Sequence, residues 1–219
     1  MVMKSILIIG MGAFGRHLAL KMMDLKNDVM IIDKDESIVE EMSSLVTDAQ
    51  IGDCTKEEVL RAVGVGNFDM CFVTIGDDFQ SSLEITNLLE NLGAKYVISK
   101  ASRDIQAKFL LRNGADQVVY PDKDMAEKLA LRCSLNNIFD YFEVTPDYLI
   151  FELPIMDNWI GQSVEKINIR RKYHINILII KNGDSIMTMP KADYIFKKED
   201  MMIAFGRAED VVKLNNSNS

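Results

Sequence analysis

Residues 5–15 read Ser-Ile-Leu-Ile-Ile-Gly-Met-Gly-Ala-Phe-Gly, so a short aliphatic run passes directly into the glycines Gly10, Gly12 and Gly15. The amphipathic pattern at 14–26 predicts a helix immediately after them. A strand, a glycine turn and a helix in this order are typical of a dinucleotide-binding loop. Gly10 permits the tight turn, Gly12 lets the backbone approach a phosphate, and Gly15 lets the helix pack against the strand. The free N–H groups at the start of the helix would bind that phosphate.

The next aliphatic run, residues 28–33, ends on Asp33, about 20 residues beyond the last glycine. A carboxylate at this place in a nucleotide-binding sheet accepts hydrogen bonds from both ribose hydroxyls. The same charge repels a 2′-phosphate. The sequence therefore predicts binding of an adenine nucleotide or NAD(H), and it disfavours NADP.

Short aliphatic runs alternate with amphipathic stretches from residue 4 to about residue 120. The strand candidates are SILIIG, DVMIID, LVTDAQI, DMCFVTI, KYVISKA and DQVVY, and the helix candidates lie at 14–26, 35–44, 55–63, 78–92 and 104–112. Near-continuous runs of Val, Ile and Leu suit strands that are buried on both faces, and their alternation with helices implies right-handed crossovers. The predicted fold class is α/β, with a Rossmann-like doubly wound parallel sheet.

The pattern changes after Pro121. Apolar residues then recur at broadly helical spacing, at Met125, Leu129, Leu131, Ile138 and Phe142. This spacing predicts a crossover or dimerisation helix. Beyond residue 144 the pattern reads strand, helix, three strands and helix, which is typical of a small α+β module. We therefore predict a nucleotide-binding domain with its crossover helix at 1–140 and a small α+β regulatory domain at 141–219.

Composition narrows the class of protein. The 219 residues include 25 Lys and Arg against 33 Asp and Glu, a net charge of −8, which argues against nucleic acid as a partner because phosphate backbones are bound by clustered cations. Cys54, Cys71 and Cys133 show no metal-ligand spacing and are interpreted as reduced cytosolic thiols. No apolar run approaches the roughly 20 residues of a membrane helix, and the first residues do not resemble a signal peptide. A membrane role would come through a partner.

Two further strand ends point to the crevice in which open α/β sheets bind ligands. Asp53 can accept a hydrogen bond from an adenine amino group, while the neighbouring Thr55 is predicted to cap the next helix, with Glu58 completing a capping box. The Thr74-Ile75-Gly76 turn either lets backbone approach the ligand or is a plain strand-to-helix turn.

The chain lacks the groups that would consume a nucleotide. It has two histidines, His17 and His174, and no Walker A loop, zinc spacing or nucleophile elbow. Lys100 can act as a base near a nicotinamide, but it serves equally as a phosphate or dimer contact. We predict that the protein is not an enzyme. The alternative is an NAD-dependent oxidoreductase with its substrate pocket between the two domains.

The ordered set of motifs resembles the regulator-of-potassium-conductance (RCK) family over essentially the whole chain. The matching segments are the glycine loop, VMIID ending at Asp33, IGDCT around Asp53, VTIGD around Gly76, VISKA around Lys100, and, in the C-terminal module, WIGQSV at 159–164 with NILII at 176–180. The likeness is greatest to the cytosolic gating subunits of Ktr and Trk potassium uptake systems.

The resemblance implies a non-enzymatic regulator that lies at the inner face of the cell membrane beneath a membrane potassium-translocating subunit. Such proteins form homodimers that commonly assemble into an octameric ring, and they bind ATP or ADP in Ktr-like members and NAD or NADH in Trk-like ones. The nucleotide-contact positions it implies are Gly10, Gly12, Gly15, Asp33, Asp53, Gly76 and Lys100. The predicted nucleotide-binding site also includes the neighbouring residues Met11, Ala13, Phe14, Arg16, Lys34, Cys54, Thr74 and Ile75.

This chain departs from the family at one position. Several Ktr-like members carry an arginine between the second glycine and the phenylalanine, where it reaches a terminal phosphate, and this chain has Ala13 there. Arg16 either replaces that contact or lies on the surface. The distinction between ATP and ADP is therefore open for this chain.

Two further candidate sites lie outside the glycine loop and the strand ends. Arg170, Asn176, Ile177 and Pro190 resemble positions that line a cyclic di-AMP cleft in some relatives. The alternative is that Asn176 starts a strand, Pro190 ends one, and Arg170 is solvated. Asp122 and Asp124 would help to hold a divalent cation near the phosphates, or else cap the following helix.

Overall fold

The computed structural model describes residues 3–134, 140–145 and 147–216. The chain divides into two units, Met1–Met125 and Ala126–Ser219. The division falls nearer the N-terminus than the predicted boundary after residue 140, which stays a prediction. Each unit is described by itself below.

The first unit is built on a six-stranded parallel sheet. Its strands, β1 to β6, are Ser5–Ile9, Asp28–Asp33, Asp48–Ile51, Met70–Val73, Val97–Lys100 and Gln117–Val119. They lie in the order β3-β2-β1-β4-β5-β6, and every neighbouring pair is parallel. From β1 the chain adds β2 and β3 on one side of this strand, and it then adds β4, β5 and β6 on the other side. The predicted doubly wound sheet is confirmed, with its switch point between β1 and β4.

Helices follow the strands of this sheet. They are α1 to α6, at Ala13–Asp24, Glu36–Ser43, Glu57–Val63, Phe79–Asn91, Asp104–Arg112 and Pro121–Ser134. Two begin at aspartates whose side chains accept hydrogen bonds from free N–H groups of the first turn, Asp35 for α2 and Asp78 for α4. Helix α6 contains the division between the two units.

Strand β1 explains why these sequences form a buried sheet. Leu7 and Ile9 belong to the hydrophobic cluster on one face, and Ile6 and Ile8 belong to the cluster on the other face. All four are at most 2% exposed. Burying each such side chain contributes about 1.5–3 kcal/mol. A strand with both faces covered needs an uninterrupted aliphatic run, as the sequence has.

The second unit contains a five-stranded antiparallel sheet and short helices. Its strands, β7 to β11, are Asp140–Thr145, Tyr148–Pro154, Asn176–Asn182, Ser185–Thr188 and Met201–Arg207, in the order β10-β9-β11-β8-β7. Its helices, α7 to α9, are Val164–Ile167, Ile169–Tyr173 and Ala208–Asn216. The core includes the buried aromatic residues Phe151, Trp159 and Phe196. The predicted small α+β module is confirmed.

The predicted helix through residue 142 is wrong at its C-terminal end. Helix α6 is described to Ser134, and Phe142 lies in β7, where it pairs with Ile150 of β8. The segment is rich in strand-favouring residues, Tyr141, Phe142, Val144 and Thr145, and backbone pairing with β8 stabilises a strand there. The predicted helix position Ile138 lies outside the described residues.

Within the described ranges, no helix combines the length and the apolar character needed to cross a membrane.

Candidate functional site

A cavity of about 270 Å³ lies beyond the carboxyl ends of strands β1 to β4, at the switch point of the parallel sheet. Ligands of open α/β sheets bind in such a crevice. Its lining residues are Ile9, Gly10, Gly12, Ile32, Asp33, Lys34, Gly52, Asp53, Cys54, Thr55, Thr74, Ile75, Gly76, Asp77, Asp78, Ser81 and Ile85. Nine of the predicted site residues are therefore brought together: Gly10, Gly12, Asp33, Lys34, Asp53, Cys54, Thr74, Ile75 and Gly76.

The glycine loop is shaped by close packing on one side and open space on the other. Gly10 has a φ of +94°, which favours glycine, and a Cβ atom there would lie 2.9 Å from Cγ1 of Ile75. A Cβ atom at Gly15 would collide with the carbonyl oxygen of Gly10. At Gly12, by contrast, nothing lies within 4 Å of the corresponding position. The loop therefore leaves room at Gly12, where α1 begins, for a group such as a phosphate.

Asp33 is fixed by the backbone on both sides of its carboxylate. The N–H of Met11 donates to Oδ2 at 2.5 Å, and the N–H of Asp35 donates to Oδ1 at 3.0 Å. Each carboxylate oxygen has two lone pairs, so both can accept a further hydrogen bond. The side chain is thus oriented in the cavity wall with capacity for two hydroxyl groups of a ligand.

Thr74 connects β4 to the glycine loop. Its Oγ1 donates toward the carbonyl oxygens of Ile9 and Gly10, at 3.0 and 2.5 Å, and its N–H donates to Ile9 at 2.9 Å. The side chain is only 5% exposed. The residue therefore fixes the loop, a role that was not predicted from the sequence.

The predicted cap of the third helix is wrong. Helix α3 begins at Glu57 with Lys56 as its N-cap and without a side-chain hydrogen bond there. Thr55 turns to Asp53 instead, and its hydroxyl and N–H both donate to Asp53 Oδ1, at 2.7 and 3.1 Å. The hydroxyl of Thr55 lowers the pKa of Asp53 below its usual value. Asp53 remains a charged acceptor in the cavity wall.

Cys54 lines the cavity as a neutral thiol. Burial, with smaller contributions from the charges of Asp53 and Asp33, raises its pKa to about 12. The thiolate is the reactive form of cysteine, so this side chain is a weak nucleophile at neutral pH.

Two acidic lining residues, Asp77 and Asp78, were not among the residues predicted from the sequence. Both follow Gly76 in the β4–α4 turn, so the rule that ligands lie beyond strand ends would have found them. Asp78 also caps α4, and the hydroxyl of Ser81 lowers the pKa of its carboxyl. Among the lining residues that the structure describes, Lys34 is the basic one.

The remaining loop positions do not line the cavity. Met11 and Gly15 are buried, Ala13 is exposed, and Phe14 is partly buried. Arg16 donates through Nε to the carbonyl of Met11 at 3.1 Å and through Nη1 to Glu41 at 2.6 Å. It is neither in the cavity nor free in solvent.

Lys100 lies beside the cavity rather than in its wall. Its Nζ is 3.2 Å from the position that a Cβ of Gly76 would occupy, and it forms an ion pair with Asp122 at 3.2 Å. Asp122 and Asp124 stand in the first turn of α6. No group of three or more potential metal-ligating side chains is present in the described ranges, and the divalent cation stays a prediction.

The four C-terminal candidates lie near one end of β9. Nε of Arg170 donates to the side-chain oxygen of Asn176 at 2.6 Å, and Ile177 follows in the same strand. The N–H of Met189 donates to the carbonyl of Leu178 at 2.7 Å, which brings the adjoining Pro190 back alongside this end of the strand. A guanidinium, an amide and aliphatic surface are thus adjacent.

Comparison with protein families matches both units of the chain. Residues 6–121 match the TrkA-N domain, and residues 148–217 match the TrkA-C domain. The Ktr system potassium uptake protein C of Bacillus subtilis (strain 168) is 35% identical over 208 residues, which cover 95% of this chain and 94% of that protein. The Ktr system potassium uptake protein A of the same organism is 30% identical over 213 residues, covering 97% and 96%.

Solved structures show the same fold. The GsuK RCK domain superposes with a TM-score of 0.66 at 15% identity, and this chain spans 48% of its length. The GsuK channel bound to NAD gives a TM-score of 0.63 at 15% identity, covering 96% of this chain and 38% of that one. GsuK bound to ADP gives a TM-score of 0.53 at 17% identity, covering 60% of this chain and 35% of that one. The superpositions on the GsuK RCK domain and on the NAD-bound channel show that this chain has the RCK fold.

Proposed function

The chain belongs to the family of proteins built from a TrkA-N and a TrkA-C domain, and on that basis we propose that it is a nucleotide-binding regulatory subunit of a membrane potassium uptake system. Two relatives that match it over almost their whole length are named Ktr system potassium uptake proteins. The resemblance noted in the sequence is thereby confirmed at the level of the family. The subunit acts by changing uptake when the nucleotide in its cavity changes.

The carboxylate of Asp33 carries the nucleotide part of this proposal. It stands at the switch point with two backbone donors orienting it, opposite the open space at Gly12. The related fold of GsuK has been solved with NAD and with ADP, which supports both ligand classes. We therefore propose ATP or ADP, or NAD(H), as the ligand.

The contact residues proposed for the nucleotide are those of the loop and the strand ends. They are Gly10, Met11, Gly12, Ala13, Phe14, Gly15, Arg16, Asp33, Lys34, Asp53, Cys54, Thr74, Ile75, Gly76 and Lys100. Those in the cavity wall would touch the ligand directly. The others act by shaping the loop, and Lys100, which is paired with Asp122, would contact a phosphate.

The chemistry of the cavity wall favours regulation over the alternative of an oxidoreductase. His17 and His174 are not among the lining residues. The thiol of Cys54 is protonated at neutral pH, and the carboxyls of Asp53 and Asp78, whose pKa values are lowered, are ionised there. None of these three groups is suited to exchange a proton near pH 7. We propose that the protein binds its nucleotide without consuming it.

Regulation by a ligand requires that the ligand bind one conformation better than another. We propose that homodimers, assembled into an octameric ring, supply the two conformations and act on a potassium-translocating membrane subunit from its cytoplasmic side. A divalent cation near Asp122 and Asp124 would accompany a triphosphate.

We also propose cyclic di-AMP as a ligand of the second unit. The hydrogen bond between Arg170 and Asn176 supports it, because it places a guanidinium beside the aliphatic Ile177 and near Pro190. A guanidinium suits a phosphate, and aliphatic side chains suit the faces of a purine. Arg170→Ala is expected to abolish cyclic di-AMP binding in calorimetry, whereas the same change at the neighbouring exposed Arg171 is expected to leave it unchanged.

The proposed function is tested in two steps with the full chain. Calorimetric titration with ADP, ATP, NAD, NADH and NADPH is expected to show binding of the non-2′-phosphorylated ligands. The protein is then reconstituted with its potassium subunit in liposomes, and exchange of one bound nucleotide for another is expected to change potassium flux. Steady-state turnover of NADH, or flux that is indifferent to the nucleotide, would overturn the proposal.

A further inference from the structure

Arg16 joins the first two helices of the parallel sheet. From the first turn of α1 it donates through Nε to the carbonyl of Met11 at 3.1 Å, and through Nη1 to Oε2 of Glu41 on α2 at 2.6 Å. Its side chain is 28% exposed, whereas that of Glu41 is 62% exposed. The guanidinium is thus engaged by one backbone and one carboxylate oxygen, in a position that leaves it outside the cavity.

The backbone of Met11 is bound from two directions. Its carbonyl accepts from Arg16, and its N–H donates to Asp33 in the cavity wall. The neighbouring glycines have no side chains with which to restrain the loop themselves. Two side chains, Arg16 of α1 and Asp33 of β2, therefore fix the residue between Gly10 and Gly12.

The same contacts connect Glu41 to the cavity through a continuous chain of hydrogen bonds. Glu41 orients Arg16, Arg16 holds the carbonyl of Met11, and the N–H of Met11 orients Asp33. Binding groups held in place before the ligand arrives lose less entropy on binding.

We propose that Arg16 and Glu41 are a positioning pair that aims the carboxylate of Asp33 at the ribose hydroxyls of the bound nucleotide. This inference rests on the proposed function, because it assumes a nucleotide in the cavity. It assigns Arg16 to the ribose end of the ligand, in place of the terminal phosphate or the free surface that the sequence left open.

The test compares two ligands that differ only in the ribose, ADP and 2′,3′-dideoxy-ADP, by calorimetry on the full chain. Arg16→Gln is expected to weaken ADP binding about tenfold, as for one lost hydrogen bond. The same variant is expected to change the dideoxy affinity by less than about twofold, since that ligand has no hydroxyls for Asp33 to bind. Arg16→Lys keeps a donor and is expected to lie within about threefold of the wild type for ADP.

The matched control is Arg61→Gln. Arg61 pairs with Glu57 within α3, so the variant removes the same charge and a similar ion pair without touching the glycine loop. It is expected to bind both ligands as the wild type does. Glu41→Gln keeps the hydrogen bond from Arg16 to the carbonyl of Met11. It is expected to weaken the binding of ADP, but not of 2′,3′-dideoxy-ADP, by about threefold. This variant provides the test if Arg16→Gln does not fold.

Three results overturn the inference in distinguishable ways. If Arg16→Gln loses affinity equally for both ligands, Arg16 contacts a phosphate or stabilises the loop as a whole. ADP affinity unchanged in Arg16→Gln would show that the pair positions nothing. Absence of ADP and NAD binding to the wild type would overturn the proposed function itself, and this inference with it.

Discussion

Oγ1 of Thr74 lies 2.7 Å from the place that a Cβ atom of Gly15 would occupy, and the carbonyl oxygen of Gly10 lies closer still. Both neighbours are held rigidly. The hydroxyl of Thr74 bonds the loop carbonyls, and Gly10 is joined to β2 by its N–H, which donates to Ile32 at 2.9 Å. No flexible side-chain end is available to move aside, so the loop tolerates no side chain at Gly15.

Gly15→Ala is therefore expected to destabilise the first unit by about 1–3 kcal/mol, the usual cost of overpacking, even though alanine favours helices. Urea denaturation followed by circular dichroism would measure the change. Gly12→Ala is the matched control, since nothing lies within 4 Å of its Cβ position. It is expected to retain stability but to lose nucleotide affinity, because the methyl group occupies the proposed phosphate space. Equal stability of the two variants would contradict the packing argument.

Asp33→Asn tests the basis of selection against a 2′-phosphate. The amide is similar in size and neutral, so it accepts fewer hydrogen bonds from ribose and no longer repels a phosphate. NAD affinity is expected to fall about tenfold, and the ratio of NAD to NADP affinity is expected to fall further.

The control for that change is Asp24→Asn. Asp24 lies at the last turn of α1, opposite the end that faces the cavity, and its carboxylate is 72% exposed. It is expected to leave both affinities unaltered. An Asp33→Asn variant with an unchanged ratio of NAD to NADP affinity would show that this carboxylate does not contact the ribose.

The strands of the first unit could be predicted because burial on both faces requires aliphatic residues at every position, as in β1. Residues 140–142 of β7 were mistaken for the end of a helix because a few apolar positions, such as Phe142, fit either period. Pairing with β8 stabilises this strand, and that pairing is a long-range interaction that local periodicity does not record.

The candidate site shows the same limit. Gly10, Gly12 and Asp33 could be found because each has a steric or charge requirement that is visible in one residue. The cap at Thr55 was wrong because Asp53, two residues away, orients the hydroxyl of Thr55 toward itself and accepts the N–H that a capping box would use. The contact between Arg16 and Glu41 joins residues 25 positions apart on two helices, and nothing in local spacing predicts it.

Asp200 is the acceptor of a buried network in the second unit. It is 1% exposed, and its carboxylate accepts from Asn182, Tyr194 and the N–H of Lys197 at 2.7, 2.8 and 2.9 Å. Asp200→Ala leaves these donors without an acceptor and is expected to cost about 3 kcal/mol of stability. Fluorescence of Trp159, the chain's one tryptophan and a core residue of this unit, would follow the unfolding. The exposed Asp193→Ala is the control, expected to change stability by less than about 0.5 kcal/mol; an equal loss would contradict the network's role.

Tyr194 makes the stability of this unit sensitive to high pH. Burial, followed by its hydrogen bond to Asp200, raises its pKa from 10.0 to about 12. The folded state therefore holds the proton more tightly, so the contribution to stability is complete below pH 10 and is lost as pH rises from 10 through 12. Tyr194→Phe is expected to be less stable at pH 8 and to lose less stability over that window. Parallel pH profiles of the two proteins, again from Trp159 fluorescence, would contradict the assignment.

The three cysteines should differ in reactivity for separate physical reasons. Cys133 is exposed, whereas Cys54 and Cys71 are buried and their pKa values are raised to about 12. At pH 8 a thiol with that pKa is a thiolate in only about one molecule in ten thousand. Iodoacetamide is therefore expected to alkylate Cys133 first and the other two slowly, as mass spectrometry of the peptides would show.

A bound nucleotide should change the alkylation rates of the two buried thiols to different extents. Cys54 lines the cavity and Cys71 does not, so a bound ligand covers the first directly but slows the second only by stabilising the folded state. Saturating ADP or NAD is expected to slow alkylation of Cys54 more than that of Cys71, measured in Cys133→Ser to simplify the kinetics. Slowing of both by the same factor would mean that ligand acts on global stability alone, and faster alkylation of Cys54 would place the nucleotide elsewhere than in this cavity.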